Sequence, residues 1–150
     1  DEYLSTNGVI NRLLFIRMMV FNYIIGNYDA HGKNFSILHK KHLELAPFYD
    51  LVSTQAYPLD NKFAMSIGQT YRLDRIKEDS FKKFAKDMNI RITLLASLIN
   101  EVCETVANEL EGLIAEHETN YGQAEIYNRL NGLIKSNIIQ LQGIFQTDNN

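Results

Sequence analysis

Apolar residues run almost unbroken from position 9 to position 25, interrupted by Asn11, Arg12, Arg17 and Asn22. A segment apolar around most of its circumference predicts a helix in the middle of a domain. Asn7-Gly8 is expected to break the chain before it. Gly26 suits its end, because glycine accepts the left-handed conformation that follows a last helical turn. Residues 26–38, GNYDAHGKNFSIL, then place a polar loop before the next apolar block. Residues 35–38 and 43–48 are short apolar runs separated by the polar residues 39–42, and they predict a hairpin. Residues 62–67, KFAMSI, predict a third short strand between the turn signal Asp60-Asn61 and Gly68. From residue 79 the period lengthens to that of helices. Phe81, Phe84, Ala85 and Met88 share one face, with Asp79 or Ser80 placed to cap it. One longer stripe includes Ile92, Leu95, Ile99, Val102, Val106, Leu110 and Leu113; another includes Ile126, Leu130, Ile134, Ile138, Leu141 and Ile144. The expected fold is mainly α, with a small β-hairpin element beside the polar loop.

Composition supports one globular domain: 150 residues, 45% hydrophobic, 22% charged, with two prolines. The net charge of −3 and the lack of a Lys/Arg stripe argue against a broad nucleic-acid surface. The run 9–25 is long enough to resemble a membrane segment, but Arg12 and Arg17 inside it would be costly in hydrocarbon. A signal peptide is not expected, since the run is too long and no small-residue cleavage site follows. The single cysteine, Cys103, has no partner for an internal disulfide, which fits a reducing, cytoplasmic setting.

The candidate chemistry sits in and after the polar loop. Asp29 and Asn34 share it, and Asp50 follows the predicted hairpin, whose two strands lead away and return. Hard oxygen ligands of this kind suit Mg²⁺, which takes one or two protein oxygens and completes its shell with water and phosphate. A remaining carboxylate, Asp29, is then free to accept a proton from an attacking hydroxyl, the division of labour used in phosphoryl transfer by protein kinases. The structural alternatives are ordinary: Asp29 and Asn34 as turn residues, and Asp50 as N-cap of a helix over 51–56. Arg12 and Arg17 require partners, either Asp29, Asp50 or Glu44 or a structural ion pair elsewhere. Cys103 falls among Ile99, Val102 and Val106, as a core cysteine does.

Two separated motifs extend this reading. Asn27, Asp29, His31 and Asn34 form N-x-D-x-H-x-x-N; Tyr49-Asp50 follows within LELAPFYDLVST, and FAMSIG comes after it. In this order and spacing the chain resembles the C-terminal kinase lobe of the HipA-like family, bacterial serine/threonine kinases of type II toxin–antitoxin modules. The resemblance implies one such lobe over residues 1–150, with a fold distantly related to eukaryotic protein kinases. It implies ATP and Mg²⁺ as cofactors, Asp29 and His31 as catalytic residues, and Asn34 and Asp50 as the cofactor- and metal-binding pair. His31 would touch a phosphate oxygen or fix the loop. Asp50 stands where eukaryotic kinases have the aspartate of D-F-G, but the triplet here reads DLV. The implied partners are an N-terminal ATP lobe, a protein substrate with aminoacyl-tRNA synthetases as the known class, and a DNA-binding antitoxin. No membrane or direct nucleic-acid contact is expected. The chain has no G-x-G-x-x-G or G-K-[ST] loop, so alone it is expected to be inactive or nearly so, as an excised or split part of a kinase. The alternative is a non-catalytic helical protein-binding module derived from such a kinase.

Overall fold

The computed structural model describes residues 6–40, 42–58 and 60–145. Helix α1, Thr6–Ile25, is central: Ile16, Met19, Val20, Tyr23 and Ile24 are buried, packing against α3, Ile92–Tyr121, and α4, Glu125–Gly143. The helix includes Asn7 and Gly8, so the expected break is not there. By length and composition, residues Gly8–Ile25 would reach across a membrane, yet the second half of this helix is the protein's own core. Its first half leaves Val9, Ile10 and Leu14 exposed. Arg17 makes a two-pronged ion pair to Glu101 of α3, both contacts at 3.0 Å, rather than meeting Asp29, Asp50 or Glu44. The guanidinium fork matches carboxylate geometry, and the partner lies in the next helix where no local pattern announces it.

The helical stripes fold as their spacing predicts except toward the end of α3, where Leu113 is exposed. α2, Glu78–Asp87, buries Phe81, Phe84 and Ala85; α3 buries Leu95, Ile99 and Cys103; α4 buries Ile134, Ile138 and Leu141. Ser80 lies inside α2 rather than at the N-cap, which is Lys77, and its Oγ accepts the Lys77 N–H at 3.4 Å, the return contact of a capping box.

Strands β1, Ile37–His39, and β2, Leu43–Leu45, pair antiparallel with Leu38 opposite Glu44. They are shorter than the apolar runs, and Ala46 N–H donating to the Ser36 carbonyl at 2.8 Å closes the ladder. The outer edge of β2 is read by a side chain: Asn11 Nδ2 donates to the Leu43 carbonyl at 2.9 Å and Asn11 Oδ1 accepts the Leu45 N–H at 3.0 Å. An amide in α1 thus does what a third strand would do. The expected strand over 62–67 does not form. Phe63 N–H donates to Tyr71 and Ala64 N–H to Tyr28, so successive groups serve different segments, leaving one bridge between Ile67 and Thr70.

Candidate active site

The end of α1 carries an asparagine where the helix is otherwise apolar. Asn22 is buried; its Nδ2 donates to the Met18 carbonyl at 3.0 Å, and its Oδ1 accepts Asn27 Nδ2 at 2.8 Å. Asn27 Nδ2 also donates to the backbone carbonyl of Asp50 at 3.1 Å. From the same loop Asn34, placed by the tight 3₁₀ turn Gly32–Asn34, donates its Nδ2 to Asp50 Oδ2 at 2.7 Å. Asp50 is therefore held by its main chain and by its carboxylate, from two asparagines seven positions apart. Its backbone is left-handed, φ +57°, a conformation that costs a non-glycine residue roughly 1–3 kcal/mol unless its surroundings hold it. The side chain does not cap a helix: the next turn, Thr54–Ala56, begins after Ser53 without a side-chain cap. Tyr49 completes the clamp, donating its hydroxyl to the Lys33 carbonyl at 2.9 Å and meeting Ser36 Oγ at 2.8 Å.

Below the loop, Gly26 has φ +66°, and the Gln55 side chain lies where its Cβ would stand. The Gly26 carbonyl accepts the Gln55 N–H at 2.9 Å and Thr54 Oγ1 at 3.2 Å, and Thr54 Oγ1 accepts the Tyr28 N–H at 2.7 Å. Three polar residues of α4 secure this layer. Asn137 Nδ2 reaches the Ile24 carbonyl at 3.0 Å and Gln55 Oε1 at 2.9 Å. Arg129 donates to the Ala56 carbonyl at 3.1 Å and Gln140 to the Leu73 carbonyl at 2.9 Å. An aromatic wall adjoins: Tyr23 stacks on Phe63 at 3.8 Å, and Tyr28 meets Phe63 edge-on. Burial raises the Tyr23 pKa well above the usual phenol range, so its hydroxyl stays a donor, to the Met65 carbonyl at 2.9 Å.

Of the residues singled out in the sequence, Asn34 and Asp50 are in direct contact. Asp29 is exposed and makes no hydrogen bond or ion pair among the described residues. His31 is half-buried, with Nδ1 enclosed and unpartnered. Asn22, Thr54, Gln55 and Asn137 were not singled out; the available signal was a polar residue within an apolar stripe, as at Asn22 and Asn137. Among the described residues no three His, Cys, Asp or Glu side chains gather as a metal cage. One carboxylate beside one carboxamide fits a cation that keeps most of its shell for water and phosphate, as Mg²⁺ does.

Known proteins resemble this chain in sequence and in fold. Residues 2–110 match the model of the HipA-like C-terminal domain. Y4mE, a candidate kinase of Sinorhizobium fredii, is 43% identical over 98 residues, 61% of this chain and 23% of that protein. The serine/threonine-protein kinase toxin HipA of Shewanella oneidensis is 27% identical over 110 residues, 72% of this chain and 25% of that protein. The chain thus spans about a quarter of the length of these relatives. The solved complex of Shewanella oneidensis MR-1 HipA with HipB and operator DNA contains the same fold: TM-score 0.69, 23% identity, covering 90% of this chain and 31% of that one.

Proposed function

This chain belongs to the HipA-like C-terminal domain family, and on that footing we propose that it is the magnesium- and substrate-side lobe of an ATP-dependent serine/threonine protein kinase. The observation that carries the reading is the 2.7 Å contact between Asn34 and Asp50, which joins two separated motifs at one point. Those two side chains would hold Mg²⁺, which when bound neutralises charge on the nucleotide's phosphates. The carboxylate keeps one oxygen beyond its contact with Asn34, and the carboxamide oxygen has no hydrogen-bond partner among the described residues. Asp29, exposed at the loop's surface and unencumbered, would orient the accepting hydroxyl and take its proton at a carboxylate oxygen. Such a role is worth typically ~10²–10⁴ in rate. The unpartnered Nδ1 of His31 supports a polar role in the same loop.

The ATP-contacting lysine and phosphate loop come from outside these 150 residues. An apolar face is available to seat them: Leu14 of α1, Leu38 of β1 and Phe48 line one cleft and are all exposed. An apolar surface of this kind marks an interaction site, and the exposed α1 and β1 residues lie on elements packed against β2. By analogy with the relatives, the whole kinase is a cytoplasmic toxin of a toxin–antitoxin module with a DNA-binding antitoxin as partner. A protein is its substrate, with an aminoacyl-tRNA synthetase as the expected class.

The test is phosphate transfer by a kinase in which this lobe is joined to its ATP-binding lobe. Asp29→Asn and Asp50→Asn are each expected to lower transfer by at least about 10²-fold, with helix content by circular dichroism unchanged. Transfer at the parental rate in either variant overturns the assignment, and transfer unaffected in both leaves the lobe as a helical docking module.

A further inference from the structure

A cleft of about 370 Å³ is lined by Lys62, Gln69, Thr70, Tyr71, Arg72 and Arg75. Three of those six residues are cations and none is acidic, in a chain whose net charge is −3. Two separate segments bring the cations together. Arg72 immediately precedes the 3₁₀ turn Leu73–Arg75 and Arg75 ends it, its N–H donating to the Arg72 carbonyl at 3.0 Å. Lys62 arrives from the preceding segment and stands 5.3 Å from the centroid of the Tyr71 ring. Phe63 N–H donating to the Tyr71 carbonyl at 2.8 Å locks the two segments side by side.

The cleft's backbone is built and anchored. Ile67 and Thr70 exchange both main-chain hydrogen bonds at 2.9 Å, which requires left-handed residues between them: Gly68 at φ +54° and Gln69 at φ +69°. Thr70 Oγ1 meets Ser80 Oγ at 2.8 Å, pinning the turn to α2. One carboxylate answers the cations: Asp74 accepts from Arg72 Nε at 3.2 Å, in an exposed contact that leaves the rest of that guanidinium open. The Arg75 guanidinium has no partner among the described residues. Ala64, two residues after Lys62, donates its N–H to the carbonyl of Tyr28 at 2.9 Å, and Tyr28 immediately precedes Asp29.

We propose that this cleft binds an acidic stretch of the protein substrate, its Asp and Glu carboxylates seated on Arg72, Arg75 and Lys62 beside the accepting hydroxyl. Guanidinium groups bind carboxylates through charge-assisted, often paired hydrogen bonds, the strongest polar contacts an exposed cleft can offer. The purpose of that binding rests on the kinase reading above; the binding itself does not. A peptide fits better than a nucleic-acid strand because the cleft has little free aromatic surface. Single-strand binding combines a long positive track with free aromatic faces for stacking, and here one face of the one lining aromatic, Tyr71, is already occupied by Lys62.

The experiment is a titration of this chain, without Mg²⁺ or nucleotide, with the peptide Glu-Glu-Ser-Glu-Glu, followed by ¹⁵N chemical shifts. The expected result is saturable shifts at residues 62 and 69–75, with affinity falling as salt rises. Arg75→Glu should weaken binding about tenfold or more, and Arg75→Gln by less. Arg91→Glu, which makes the same charge change at the start of α3, should leave it unaltered. No saturable shift, equal binding of Lys-Lys-Ser-Lys-Lys, wild-type affinity in Arg75→Glu, or tighter binding of a ten-nucleotide oligo-dT at the same residues each overturns the proposal. The titration contains no Mg²⁺ or nucleotide, so it reads the cleft and not phosphate transfer. Peptide binding without phosphate transfer therefore sinks the kinase reading alone, and transfer without peptide binding sinks this one alone.

Discussion

The helices from α2 to α4 bury Phe81, Phe84, Leu95, Ile99, Cys103, Ile138 and Leu141, and their backbones are satisfied within each helix. The segment between α1 and α2 has far less regular structure: a hairpin with three residues in each strand and short 3₁₀ turns. There side chains take over what a ladder does elsewhere. Asn11 borders β2, Asn27 and Asn34 hold Asp50, Tyr49 joins the loop to the hairpin, and Thr54 bridges Gly26 and Tyr28. Stability in the helices is spread over many apolar contacts of small individual worth. The loop segment adds Tyr28, Phe63, Ile67, Leu73 and Ile76 to the same core, and beyond them relies on polar contacts between distant positions, of which those from Asn27 and Asn34 hold Asp50. The difference shows why the site sits where it does. A helix offers side chains along one axis, whereas polar bonds within a loop bring Asn34 and Asp50 together across 16 positions. α4 links the two regimes, apolar toward the core and polar, through Arg129, Asn137 and Gln140, toward the loop segment.

The largest expected effect lies on the helical side. Leu95→Ala, at a fully buried position, should cost about 2–5 kcal/mol in urea unfolding of this chain. A loss under about 1 kcal/mol would break the comparison, because the helices would then not depend on burial. Next is Gly26→Ala, which forces an alanine into φ +66° against Gln55 and should cost about 1–3 kcal/mol. Its counterpart sharpens the contrast. Gly112→Ala, in open space within α3, should stabilise by roughly 0.4–1 kcal/mol in the same assay.

Asn27→Ala removes the donor to Asn22 Oδ1 and the Asp50 carbonyl, and should cost about 1–2 kcal/mol. Its more telling mark is local. Hydrogen exchange of amides 49–52 should quicken while protection in α3 is unchanged; uniform loss of protection would show that the loop is not separately held. The smallest effect belongs to an exposed pair between α3 and α4. Lys135 Nζ contacts Glu111 Oε1 at 2.6 Å, and its hydrogen bond and charge lower the Glu111 pKa below the ordinary glutamate value. The stabilisation is present above that ordinary value and is lost as pH falls through the lowered one. NMR titration should find the Glu111 carboxyl moving back up in Lys135→Met, with little change in unfolding midpoint. A large change in midpoint would mean that polar contacts matter as much in the helices as in the loop.

What the one-dimensional pattern determined about this protein is the set of elements that close on themselves. The run that became α1, its end at Gly26, the stripes of α2 to α4 and a buried Cys103 all follow from spacing and apolar character, which local backbone geometry converts directly into a helix face. Asp29, Asn34 and Asp50 were open to reading as candidate chemistry because two separated motifs carry them in a set order and spacing; as single residues, Asp and Asn are ordinary in turns. Tertiary structure alone decided the rest. The pairing of Asn34 with Asp50, the choice of Glu101 for Arg17, the loss of a strand over 62–67 and the reach of Asn137 to Gln55 each depend on which distant backbone group arrives nearby. A polar side chain specifies that it needs a partner and a distance, but not which segment will supply one; that is settled only when the apolar faces have packed.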